Sequence, residues 1–299
     1  MIRTPITGRS LAAGRLPATG RSSATRFDLE TAAMHALGYI RVDKNVNNAI
    51  YFDDPLSNLY GKTYFFVAKY QMKNVGGVAV SRADITPWVS ITQTNAIAAC
   101  AAIGTGYHLM TNWEWMAIAR DVEQVAVNWT GGAVGSGLLK RGNVGILDDG
   151  SYNGATPEFG FGRNAKAKLV LSNGEEIWDL SGNVWEWTNN TISCAATQCS
   201  IAEMPYNSTP ASEWIEFTAI NTYGQLSYDQ IRPSNASWNA AQGMGRLYTD
   251  ADAANPSGTV HAFRRGGHWN GGSNSGAFVL DLRVSPASAS GDVGFRCVR

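Results

Sequence analysis

Apolar and polar positions alternate most cleanly near the C-terminus, where Phe278, Leu280 and Leu282 interleave with Ala277, Val279, Asp281 and Arg283. A period of two predicts a strand with one face on a core and the other toward solvent, so the first set is expected inside and the second outside. The run Tyr64-Phe-Phe-Val-Ala-Lys-Tyr70 is dense in aromatic and apolar side chains and predicts another strand. Two helices are signalled between these segments. One opens at Thr92 or Thr94, runs through Ala96, Ile97, Cys100 and Ala101, and stops at Gly104 and Gly106. The other starts at the capping box Thr111-Asn-Trp-Glu114, with Met110 and Trp115 spaced as a hydrophobic staple, and extends from Asn112 to about Glu123. Earlier in the chain, Asp28 is placed to cap a short helix that carries Leu29, Ala33 and Leu37 on one face and ends at Gly38.

Two long stretches, Asn128 to Asn173 and Asn189 to about Val260, have neither period and read as surface loops. Loops of that length inside a compact domain are uncommon and usually serve binding or packing. Residues 1–58 divide from the rest. Arg3, Arg9, Arg15, Arg21 and Arg26 recur with no acidic residue before Asp28, which describes a basic arm followed by the short helix. The main domain is expected over 59–299.

Composition narrows the classes. Lys plus Arg equals Asp plus Glu at 24 each, so no whole-molecule field points to nucleic acid or an anionic membrane as the partner. Only 16% of residues are charged while 10 Trp, 11 Tyr and 32 Gly are present, a balance that suits a loop-rich fold held by aromatic packing. No run approaches the roughly 18 apolar residues of a membrane span, and the first residues carry charge where a signal peptide needs an apolar core. The chain is therefore expected to be made as a soluble protein without signal peptide, destined for the cytoplasm or a virion. Of the cysteines, Cys194 and Cys199 could close a small loop and Cys100 with Cys297 could tie a helix to the C-terminal strand, but reduced buried thiols are the simpler expectation. The four histidines, His35, His108, His261 and His268, lie in no nucleophile motif, and no phosphate-binding glycine loop precedes a helix.

Gly106-Tyr-His-Leu-Met-Thr-Asn-Trp-Glu-Trp115, Asp179-Leu-Ser-Gly-Asn-Val-Trp-Glu-Trp187, Arg265-Gly-Gly-His-Trp269 and Val293-Gly-Phe-Arg-Cys297 follow one another in the chain. That order resembles the formylglycine-generating-enzyme branch of the C-type lectin fold. The resemblance implies an α+β domain with two helices, small antiparallel sheets, extensive loops and chain ends that meet. Enzymes of the branch carry two copper-binding cysteines after the Arg-Gly-Gly motif. Arg265 to Arg283 contains none, so the soft ligands copper(I) prefers are missing and no oxidase activity is expected.

The same segment resembles instead the variable region of proteins diversified by retroelements, here about 264–296. In that family, adenine randomisation of template asparagine codons never yields Lys, Glu, Gln, Met or Trp. Average composition would place about four of these in a thirty-residue stretch; Asn270 to Arg299 has none. The resemblance and the strand period together assign Trp269, Gly272, Gly276, Pro286, Gly294, Phe295 and Arg296 to scaffold. The ligand contacts expected are His268, Asn270, Gly271, Ser273, Asn274, Ala277, Val279, Asp281, Arg283, Val284, Ser285 and Asp292. Asp281 and Arg283 would be the strongest polar anchors, with His268 able to report pH. No cofactor is required for binding, but the resemblance implies a structural calcium on the side chains of Asp179 and Glu186 and the carbonyls of Gly182 and Val184; the alternative is that these carboxylates bond backbone amides. The function implied is non-enzymatic binding of a protein or glycan ligand, as in phage or viral recognition of a host surface, with the arm docked on a larger assembly. A cellular binder of fixed specificity is the alternative, and an oxidase a distant third.

Overall fold

The computed structural model describes residues 26–145, 167–193, 214–219, 228–248 and 260–299. In chain order its helices are α1 (Arg26–Ala36), α2 (Ala49–Asp53), α3 (Gln93–Ala101) and α4 (Asn112–Val122). The strands are β1 (Tyr39–Asp43), β2 (Tyr64–Ala68), β3 (Lys73–Val75), β4 (Val78–Val80), β5 (His108–Leu109), β6 (Lys168–Val170), β7 (Glu176–Trp178), β8 (Trp185–Ser193), β9 (Trp214–Ile215), β10 (Leu247–Tyr248), β11 (Val260–Gly266), β12 (Gly276–Val284), β13 (Val293–Phe295) and β14 (Cys297–Val298). Two sheets carry the architecture. One runs β1-β2-β14-β5, the other β13-β8-β11-β12-β10-β9, and β3-β4 and β6-β7 form separate two-stranded ribbons. This is the α+β class expected.

Local signals place the helices. Thr92 Oγ1 accepts from the Asn95 amide at 3.1 Å to start α3. At α4 the capping box closes both ways: Thr111 Oγ1 accepts from Glu114 N at 3.2 Å and Glu114 Oε2 accepts from Thr111 N at 2.8 Å. Trp115, Met116, Ala117, Ile118 and Ala119 are all fully buried, so α4 is a central helix, packed on β8 and β12. No helix among the described residues is long and apolar enough to cross a membrane.

Three expectations change. The boundary at 58/59 moves toward the N-terminus, because β1 pairs antiparallel with β2 from Tyr39↔Ala68 to Asp43↔Tyr64 and its Ile40 and Val42 join Tyr51, Phe52 and Trp115 in one core. The face of the first helix that carries Leu29, Ala33 and Leu37 does not pack on the domain: Leu29 is 61% and Leu37 57% exposed. The helix is held by buried Met34 and by Glu30, which accepts from Tyr64 Oη and Arg299 Nη1 at 2.9 Å each. Asp28 lies in its first turn, and the basic segment before Arg26 lies outside the described residues. Third, Cys100 and Cys297 form a disulfide with their Cα atoms 5.5 Å apart, joining α3 to β14; Cys194 and Cys199 lie outside the described residues. Phe66 and Arg299 exchange both backbone hydrogen bonds at 2.9 Å, so the C-terminus closes onto the first sheet.

Candidate functional site

Strand β12 does not keep its period of two. Its register against β11 runs Ala262↔Val284, Arg264↔Asp281, Arg265↔Leu280 and then Gly266↔Gly276, so residues 277–279 bulge out with no partner on β11. Consecutive Ala277 and Phe278 therefore enter the same core, with Leu280 and Leu282, while Val279 packs with Trp185, Trp187 and Phe295 in the second. The bulge carbonyls are satisfied from inside. Arg265 Nη1 donates to Phe278 O at 2.8 Å and Trp115 Nε1 to Ala277 O at 2.7 Å. Arg265 also reaches Asn112 Oδ1 at 3.0 Å and Gln230 O at 2.7 Å, which ties the bulge to the start of α4. Full burial lowers its pKa to about 9, leaving it charged at neutral pH. Gly245, at φ +82°, lets the chain at 244–246 lie close over the strand: a Cβ there would come within 2.8 Å of Val279 Cβ.

Asp281 is fully buried. Its Oδ2 accepts from Arg264 Nη2 at 2.7 Å and Nε at 3.1 Å and from Arg283 Nε at 3.0 Å, and its Oδ1 accepts from Arg283 N at 3.0 Å. The guanidiniums stack in turn, Arg264 4.8 Å from the centre of the Trp185 ring and Arg283 3.9 Å from that of Tyr248. Trp214 bridges the layer, stacked on Trp185 at 6.4 Å and edge-on to Tyr248 at 4.6 Å. This aromatic and guanidinium layer roofs the face expected to be solvent-exposed. Val279 and Asp281 are thus corrected from display to interior, and so is Ala277, which the bulge turns into the first core beside Phe278.

The other expected contacts stay at the surface. Asn270 and Ser285 are exposed, and His268, Gly271, Ser273, Asn274, Arg283, Val284 and Asp292 are half-buried. Those from 268 to 274 form one loop braced at several points. Trp269 N donates to Asn183 O at 3.0 Å, Gly272 N to Val144 O at 2.6 Å, and Arg246 Nη1 to Asn274 Oδ1 at 2.7 Å and Ser273 Oγ at 3.2 Å. Arg246 is itself oriented by Glu216 Oε1 at 2.6 Å. His268 stacks on Trp185 and lies 3.7 Å from Asp292; burial holds its pKa below the ordinary histidine value against the pull of that carboxylate. Arg246, Glu216, Trp214 and Tyr248 are the residues sequence reasoning missed. They come from a stretch read as loop, where the one local signal is the cap at Asn239, whose side chain accepts from the Ala241 amide at 2.8 Å. Of the scaffold set, Gly276, Gly294, Phe295 and Arg296 are buried, whereas Trp269, Gly272 and Pro286 are half-buried.

The Asp179–Glu186 turn does not fit a calcium ion. Glu186 is engaged by Arg296, Nε to Oε2 at 3.0 Å and Nη2 to Oε1 at 2.8 Å, both side chains fully buried. The carbonyls of Gly182 and Val184 turn toward the Gln71 amide nitrogen, at 3.4 and 2.9 Å.

The profile of the sulfatase-modifying factor enzyme 1-like domain family matches residues 32–299. No curated protein sequence matches the chain. Among solved structures it is similar to PvdO from Pseudomonas aeruginosa, with 14% identity over 88% of this chain and 91% of that one and a TM-score of 0.34. It is similar to Treponema denticola variable protein 1, with 14% identity over 79% and 84% and a TM-score of 0.37. It is also similar to the I1 variant of Major Tropism Determinant, with 17% identity over 78% of this chain and 50% of that one and a TM-score of 0.36.

Proposed function

The chain belongs to the family of sulfatase-modifying factor enzyme 1-like domains, and from that premise we propose that it is a binding member without oxidase chemistry, whose ligand is met by the loop from His268 to Asn274. The supporting observation is the build of that loop. It follows Arg265-Gly-Gly, where the enzymes' thiols would stand, contains no cysteine, and presents Asn270, Ser273 and Asn274 on a backbone braced by Asn183, Val144 and Arg246. An exposed side chain on a fixed backbone, as at Asn270, can be exchanged at little cost, under about 0.5 kcal/mol, so specificity can change while the fold persists. Arg283, Val284, Ser285 and Asp292 extend the surface. Its mix of amide, hydroxyl, imidazole and ion-pair groups suits a hydrated protein or glycan epitope.

Diversification by a retroelement is part of this reading, and so is presentation of the loop on a virion or similar assembly toward a host surface. Sequencing the DNA beside the gene tests it. The expected result is a near-copy of the codons for about 264–296 next to a reverse-transcriptase gene, with variation among gene copies concentrated at Asn270, Gly271, Ser273, Asn274 and Ser285. Absence of such a copy would reduce the protein to a binder of fixed specificity. Variation concentrated at Phe278, Leu280 or Leu282 would remove the loop as the contact surface.

A further inference from the structure

The turn from Asp179 to Glu186 points its oxygens at one side chain from outside it. We propose that the Gln71 amide nitrogen stands where a cation would, so that this turn is organised by an internal donor and folds without metal. The inference does not depend on what the loop binds.

Gln71 is fully buried, between β2 and β3. Its Nε2 lies 2.9 Å from Val184 O, 3.1 Å from Glu186 Oε1, 3.3 Å from Asp179 O and 3.4 Å from Gly182 O. The amide is oriented by its other end, because Oε1 accepts from Asn183 Nδ2 at 2.8 Å. The reverse orientation would set oxygen against four oxygens and nitrogen against nitrogen. These separations are hydrogen-bond lengths, whereas calcium takes six to eight oxygens at roughly 2.3–2.6 Å.

Charge leads to the same conclusion. The Glu186 carboxylate is paired with Arg296, whose remaining N–H groups donate to Ala68 O and Trp178 O at 2.8 Å each. A divalent ion would have to enter a buried site beside a guanidinium that already balances the Glu186 carboxylate, so that of the two carboxylates only the buried Asp179 would offset it, which the low local dielectric opposes. A neutral amide brings no such conflict. It gathers carbonyls from a turn whose Asp179 and Asn183 sit at φ +58° and +67°, a conformation that costs free energy unless the surroundings hold it. The same turn gives Asn183 O to Trp269 N at 3.0 Å and takes Gly266 O at Gly182 N at 2.8 Å, so Gln71 is a positioning residue for the loop that follows.

Thermal melting of the full chain in EDTA and in millimolar calcium chloride, with metal analysis of protein purified without chelator, tests this directly. No metal at stoichiometric level and one melting temperature in both buffers are expected. A ligand at a hundred times its Kd would raise the Tm by about 5–10 °C for a domain of this size, and a rise of that order, or bound calcium, overturns the proposal. Gln71→Glu provides the second arm, because it replaces the donor with an oxygen and recreates a cation's coordination shell. Its Tm is expected to fall in EDTA and to recover in part with calcium. If Gln71→Glu melts with the wild type in EDTA, the amide nitrogen organises nothing and the proposal fails.

Discussion

Strand β12 and the loop that precedes it are adjacent in sequence, yet the protein treats them in opposite ways. The loop leaves its side chains exposed or half-buried and is braced through its backbone and by Arg246 on Ser273 and Asn274, while the strand sinks both faces into packed layers. A period of two reports which residues share a face; it does not report what covers that face. Asp281 separates the two regions most sharply. Asp281→Ala would leave Arg264 buried without its carboxylate, and breaking one partner of a buried pair costs about 3–5 kcal/mol. Denaturant titration should show that loss. A variant that keeps full stability and loses only ligand would return β12 to the display surface.

The next largest effect lies away from both regions. The Cys100–Cys297 disulfide spans 197 residues and anchors β14, an inner strand of the first sheet. Paired Cys100→Ala and Cys297→Ala substitutions should lower stability by about 2–4 kcal/mol. The loop contacts none of this, so binding measured well below the melting temperature should persist. Loss of binding in a variant that remains folded would show the loop and the first sheet to be coupled.

What the sequence made legible follows the range of the interaction involved. Helices α3 and α4 were readable because their caps are local: Thr92 and Thr111 each bond an amide three residues on. The α+β class was readable from the order of short motifs, each of which fixes a buried contact such as Arg296 with Glu186. The bulge at 277–279 was not, since it depends on Arg265, Trp115 and residues 244–246, none of which is near it in the chain. The aromatic roof was hidden for the same reason: Trp214 and Tyr248 lie in an aperiodic stretch, and only the pairing of β9, β10 and β12 brings them over Asp281. Likewise the turn at 179–186 was read from its own oxygens, while the group that fills it, Gln71, comes from the far side of the sequence.

A smaller effect is expected at the edge between the two regions. His268 has its folded pKa held below that of the unfolded chain, chiefly by burial, so the fold prefers the neutral imidazole. The unfolded chain then takes up protons first as pH falls. The stability this contributes is fully present above the unfolded value of 6.5 and is lost as pH falls through the lower folded value. Because the ring is half-exposed the loss should be modest. Following the imidazole protons by NMR should show titration below the ordinary histidine range, and His268→Asn should flatten the corresponding part of the stability profile. A ring titrating above that range would mean that Asp292 outweighs burial.

The smallest effect on stability is expected where the effect on function is largest. Asn270→Ala and Ser273→Ala change one exposed and one half-buried side chain of the loop, and surface changes of this kind usually stay within about 0.5 kcal/mol. The two differ in one further respect: Ser273 Oγ accepts from Arg246, which keeps Asn274 Oδ1 and Glu216 as partners when the hydroxyl is removed. Melting curves of both variants should therefore overlay the wild type. A library randomised at Asn270, Ser273 and Asn274, selected against immobilised proteins and glycans, should yield folded binders of new specificity. A parallel library at Ala277, Val279 and Asp281 should yield mostly unfolded chains. If the second library gives the binders and the first gives none, the surface that recognises ligand is β12, and the braced loop is only its support.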